Sequence, residues 1–152
     1  MKFYQDLNVV ITSSLDSCIH FLHSDSLLPE GQQPKKYNQK GVTRFVYSKV
    51  QQCIASCGED RYIVLWDPLS MRLITKLYGH YTGIKDLALS DRVGHLVSLG
   101  TDNMLKVWDV KTFQCIQTLM NLPTVPSGVF IDPYVNVKNS NIILFSKAME
   151  LY

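Results

Sequence analysis

Little in this sequence declares a chemistry. Charge of one sign is scarce: 15 basic residues face 13 acidic ones, for a formal net charge of +2. That balance gives no argument for a nucleic-acid or anionic-membrane partner. Long apolar runs are missing too, and no window approaches the roughly 20 residues of a spanning helix. Cysteine is sparse. Cys18, Cys53, Cys57 and Cys115 are scattered and do not form the framework of a small disulfide-rich secreted domain. No Asn-x-Ser/Thr acceptor site occurs. Asp6 and Asn8 interrupt the first residues before an apolar segment can build, so they read as neither signal peptide nor anchor. There is no phosphate-binding glycine loop, paired-carboxylate site or nucleophile motif. The expectation is an intracellular, cytoplasmic, non-catalytic protein without cofactor, nucleic-acid or membrane partners. Apolar residues at 46% of 152 still suffice for a packed core.

What the chain does contain is repetition. Trp66-Asp67 and Trp108-Asp109 stand 42 residues apart. The same offset carries Gly41 onto Gly83, Ser48 onto Ser90, Ser56 onto Ser98, Gly58 onto Gly100 and Asp60 onto Asp102. It also carries Ile74 onto Ile116 and Leu77 onto Leu119. An upstream copy is weaker and is offset by 44. There Val10, Thr12 and Asp16 take the places of Ile54, Ser56 and Asp60, while Leu22-His23 stands where the Trp-Asp pair should be.

Each unit reads as short strands. Val42 to Tyr47, Cys53 to Cys57, Tyr62 to Trp66 and Leu73 to Leu77 are β-prone runs. Gly58-Glu59-Asp60-Arg61 and Asp67-Pro68-Leu69-Ser70 supply the turns between them. No run of 12 or more residues keeps a helical period. The fold class expected is therefore all-β, with one four-stranded antiparallel sheet per repeat.

The Gly79-His80 pair, the Ser98 and Gly100-x-Asp102 cluster and the closing Trp108-Asp109 resemble a WD40 repeat. The copy ending at Asp67 is similar, with Asn38 in the place of the histidine. The resemblance runs well from residue 1 to about 119 and implies a β-propeller with four strands per blade. Divided accordingly, the chain is a partial, unclosed WD40 propeller of about three and a half blades. A clipped, degenerate blade occupies 1–28, a loop and blade entry 29–40, full blades 41–77 and 78–119, and an incomplete blade 120–152. Gly128 to Ile131 and Asn141 to Phe145 read as the first two strands of that last unit. Propellers close with about 4–8 blades, so the chain is expected to be a fragment or short isoform of a larger WD repeat protein. Unpaired blade faces and edges would otherwise favour self-association into a ring.

His80, Ser98 and Asp102 invite comparison with a hydrolase triad. The resemblance implies instead a buried structural tetrad of His80, Ser98, Asp102 and Trp108, in which the indole meets the serine, the serine the histidine and the histidine the aspartate. A buried indole and imidazole need polar partners, which such a network supplies. In the preceding blade the equivalents are Asn38, Ser56, Asp60 and Trp66, without the imidazole. Cys53 and Cys57 lie on one face of a strand but about 13 Å apart, too far to share a zinc ion. His20, His23 and His95 read as ordinary strand or loop residues, so no metal site is expected.

The basic run Lys35-Lys36, Lys40 and Arg44 reads as a solvated loop face, with an acidic partner as the sharper alternative. Tyr37 and Tyr81 stand near connecting loops as binding aromatics or inter-blade packing. WD40 proteins usually contact partners through the loops at one end of the propeller. Carried over, the contact positions are Thr43, Glu59, Lys85 and Thr101, with Gly41, Gly83 and, in the decayed copy, Leu15. Their mixture of side chains names no ligand. The implied function is a protein–protein interaction scaffold; an active or small-ligand site at the channel, or a truncated product without independent activity, are the alternatives. Large WD repeat proteins are often ciliary or flagellar, a further location that the resemblance implies.

Overall fold

The computed structural model describes residues 2–4, 8–23, 25–26, 35–36, 38–70, 72–120, 128–130 and 144–146. The first sheet contains β1 (Lys2–Tyr4), β2 (Val9–Ser13), β3 (Cys18–His23) and β4 (Lys35–Lys36). The second contains β5 (Arg44–Ser48), β6 (Cys53–Cys57), β7 (Tyr62–Trp66) and β8 (Leu73–Tyr78). The third contains β9 (Ile84–Ser90), β10 (His95–Gly100), β11 (Leu105–Asp109) and β12 (Gln114–Leu119). A two-stranded fourth joins β13 (Gly128–Phe130) to β14 (Leu144–Ser146). Every pairing is antiparallel between neighbours in sequence. No helix and no closed ring occurs among the described residues. This is the all-β, partial propeller that the repeat predicts.

One reading changes. Lys35 and Lys36 pair with Ile19 and Cys18, so they form the fourth strand of the first sheet rather than lying in a connecting loop. The short first copy thus reaches four strands by borrowing residues assigned to the blade entry. A two-residue outer strand leaves little periodic pattern to detect in a sequence.

The sheets stack face to face, which explains why β6 and β7 are buried on both sides. Successive side chains of a strand point to opposite faces. Ile54, Val64 and Trp66 accordingly pack with Val9, Ile11, Ile19 and Phe21 of the first sheet. Cys53, Ala55, Cys57, Ile63 and Leu65 pack with Ile84, Leu87, Leu96 and Trp108 of the third. Ala88, Val97, Leu99, Leu105 and Val107 form a third cluster. The outer strands follow a different rule: β12 has four exposed residues before its half-buried end, since among the described residues it pairs only with β11.

Backbone bonds tie the sheets together at one end. Val42 N–H donates to the Ser14 carbonyl at 3.0 Å, joining the first sheet to the second, and Ile84 N–H donates to the Gly58 carbonyl at 2.8 Å, joining the second to the third. Two glycines make this crossing possible. Gly41 has φ +77°, and a Cβ there would sit 3.1 Å from the Leu15 carbonyl oxygen. A Cβ on Gly58 would collide with the Gly41 carbonyl oxygen. The repeated glycines mark where one blade's chain passes against the next.

Candidate functional site: a buried polar network beneath an exposed loop rim

In the third sheet the network centres on Ser98, which lies on β10 and is 0% exposed. The Trp108 Nε1–H donates to Ser98 Oγ at 2.8 Å. Ser98 Oγ also lies 2.6 Å from His80 Nε2. The hydroxyl that accepts the indole proton also lies 3.5 Å from the Lys106 carbonyl, a second acceptor for the serine proton beside the imidazole. Burial and the nearby Lys106 ammonium push His80 down to about 4, against a weaker upward pull from Asp102. The imidazole is therefore neutral near pH 7.

Asp102 behaves differently from the tetrad role that the resemblance assigns to it. It is exposed, and its Oδ1 accepts the Met104 N–H at 3.0 Å within its own turn. His80 Nδ1 makes no hydrogen bond among the described residues. The two groups nevertheless lie against the same glycine. A Cβ on Gly100 would strike Asp102 Oδ1 and sit 3.0 Å from His80 Nδ1 and 3.2 Å from Thr82 Oγ1.

The second sheet uses the matching residues in another arrangement. Ser56 Oγ donates to Asn38 Oδ1 at 2.8 Å, while Trp66 meets the Phe21 ring edge-on at 5.3 Å. Asp60 is only 5% exposed, and its Oδ2 accepts the Gln39 and Lys40 amides at 2.8 and 3.3 Å. Here the aspartate holds the chain that enters the blade. In neither sheet is the serine presented to solvent as a nucleophile must be.

Thr43, Glu59, Lys85 and Thr101 are all exposed. They sit where β5 begins, in the β6–β7 turn, where β9 begins and in the β10–β11 turn. The inter-sheet bond from Ile84 N–H to Gly58, the Thr43 Oγ1 contact with the Ile84 carbonyl at 3.5 Å and the Thr101–Gly83 bond within the third sheet bring these positions to one rim. Two apolar side chains share it: Leu15 is 81% exposed in the β2–β3 turn and Tyr81 is 73% exposed just before β9. Tyr37 lies outside the described residues.

Other partnerships are not foreshadowed by the repeat. Arg44 on β5 pairs with Asp86 on β9 at 3.2 Å, joining the second and third sheets. Ser48 donates to Asp91 at 2.5 Å, and Lys49 N–H reaches the other oxygen of the same carboxylate at 3.2 Å. Both bonds cross about one repeat period, but opposite charges at that spacing carry no signal without the stacking geometry. His20 is not isolated either. A ligating atom of His20, Cys18 Sγ and an Asp16 carboxylate oxygen all lie within 4.8 Å of one another. Cys53 and Cys57 are both buried, with thiols pushed up to about 11 and about 12 mainly by that burial.

The sequence pattern described as WD domain, G-beta repeat matches residues 31–67 and 71–109. Over 114 residues the chain is 30% identical to a WD repeat-containing protein on the Y chromosome of Anopheles gambiae, covering 72% of this chain and 11% of that protein. It is 29% identical over 75 residues to WD repeat-containing protein 46 of Caenorhabditis elegans, covering 49% and 13%. It is also similar to Cilia- and flagella-associated protein 337 B of Tetrahymena thermophila, at 24% over 82 residues, covering 54% and 6%. The chain spans only a small part of each relative's length.

Proposed function

The chain belongs to the WD40 repeat family, and on that footing we propose that its exposed rim docks another protein, without turning over a substrate. WD40 repeats serve in general as protein-interaction scaffolds, which is the class of function the family carries. The finer reading concerns the surface. The observation that carries it is the pair of exposed apolar side chains, Leu15 and Tyr81, on the rim that also bears Thr43, Glu59, Lys85 and Thr101. Apolar anchors ringed by polar groups are the composition of a docking surface. The rim is also held by backbone bonds between sheets, so little ordering entropy is lost on docking.

A photo-crosslinking residue placed at Tyr81, and separately at Ile116 on outer strand β12, tests this in cells. The rim position should capture a reproducible partner that the outer-strand position does not, and Leu15→Glu should abolish that capture. Equal capture at both positions, or capture indifferent to Leu15→Glu, would sink the assignment. We further propose an intracellular location, cytoplasmic and extending to a cilium or flagellum. Resemblance to a cilia- and flagella-associated relative supports it, and fluorescence imaging of the tagged protein in ciliated cells tests it.

A further inference from the structure

The first sheet lacks the Trp–Ser pair of its neighbours, with Leu22 and Thr12 at those repeat positions. Its β2–β3 turn carries Asp16-x-Cys18-x-His20 instead. Cys18 and His20, two apart on β3, share one face of the strand. Ser17, in the left-handed region at φ 73°, folds the turn back so that Asp16 joins them. One ligating atom from each residue then lies within 4.8 Å of the other two. His20 Nε2 stands 3.8 Å from Asp16 Oδ2. Cys18 is 3% exposed, whereas the side chains of His20 and Asp16 are 37% and 53% exposed. The cluster thus has a sulfur floor and a side open to water.

An aspartate-capped turn alone does not make this arrangement. Asp67, Asp102 and Asp109 each accept the amide two residues on, as Asp16 accepts the Cys18 amide at 2.9 Å. At the position of Cys18 those turns carry Leu69, Met104 and Lys111, and at the position of His20 they carry Met71, Lys106 and Phe113. Only the decayed blade combines the turn with a thiol and an imidazole. The capping bond, moreover, uses Asp16 Oδ1 and leaves Oδ2 toward His20.

We propose that Asp16, Cys18 and His20 bind a zinc-class divalent cation, with water completing a four-coordinate shell. Thiolate, imidazole and carboxylate are the donor types that such an ion takes, and a thiolate excludes calcium and magnesium as ordinary occupants. Donors around a tetrahedral ion at zinc distances are roughly 3.5 Å apart, so small side-chain rotations close the cluster. Binding displaces the Cys18 thiol proton to solvent.

The probe is Co²⁺, added to the reduced 152-residue chain carrying Cys115→Ser to remove the exposed thiol. One equivalent should produce a thiolate-to-cobalt charge-transfer band and tetrahedral d–d bands, both erased by Zn²⁺. Cys18→Ser should remove the charge-transfer band. Asp16→Asn and His20→Ala, at partly exposed groups, should each weaken binding about tenfold or more, with far-UV circular dichroism unchanged. If Cys18→Ser does not fold, those two variants decide. Absence of the band at excess Co²⁺, its persistence in folded Cys18→Ser, or affinity unchanged by both exposed-site variants would overturn the site.

Discussion

The second and third sheets share a strand plan and a repeat register, yet they secure their buried serine in different ways. In the third, one hydroxyl links an indole to an imidazole. In the second, the hydroxyl serves Asn38, the indole packs on Phe21, and the aspartate turns inward to hold two backbone amides. Asn38, buried at 2% exposure, occupies the histidine's repeat position. The buried aspartate ties down the incoming chain where the histidine would have stood. The lesson is that the serine–tryptophan framework tolerates more than one polar arrangement around the same buried hydroxyl.

Several substitutions bear on that contrast. The largest loss should come from Trp108→Ala, about 3–5 kcal/mol, since a fully packed indole and its hydrogen bond vanish together. Trp66→Ala should fall in the same range through packing on Phe21; denaturant unfolding measures both. Ser98→Ala should cost about 1–3 kcal/mol because it strands both the indole and the imidazole. Ser56→Ala, which breaks one bond to Asn38, should cost about 0.5–1.5 kcal/mol. Equal losses for the two serines would erase the distinction between the sheets.

The third sheet should also be the acid-sensitive one. His80 has a folded-state value of about 4 against 6.5 unfolded, so below pH 6.5 the unfolded chain takes up a proton that the folded one refuses. This contribution to stability declines from pH 6.5 to about 4 and then levels off. Unfolding midpoints of His80→Asn, which gives the third sheet the second sheet's residue, should show a shallower decline over that window. The smallest effect should belong to Arg44→Ala, at most about 1 kcal/mol, because Arg44 is largely exposed and its pairing with Asp86 is screened by water and salt. Thiol labelling offers a kinetic counterpart. At pH 8, Cys115 should react within the folded chain, while Cys53 and Cys57 should wait for unfolding.

Local pattern made the strands legible. Cys53–Cys57 and Tyr62–Trp66 were bounded by Gly, Asp and Pro turns, and the structure keeps those bounds. The outer strand at Lys35–Lys36 escaped notice because two polar residues carry no alternation, and only pairing with β3 defines them. The bonding of the two aspartates was equally hidden. Asp60 and Asp102 occupy one repeat position, but one is buried against backbone amides and the other is exposed in its own turn.

Amino-acid order alone established the 42-residue period and the all-β class, because turn chemistry and side-chain alternation act over a few residues. Stacking decided the rest. The Arg44–Asp86 pair and the inward turn of Asp60 depend on which backbones approach and at what angle. Hydrogen bonds and ion pairs form over a few ångströms of space, and spacing along the chain does not set those separations.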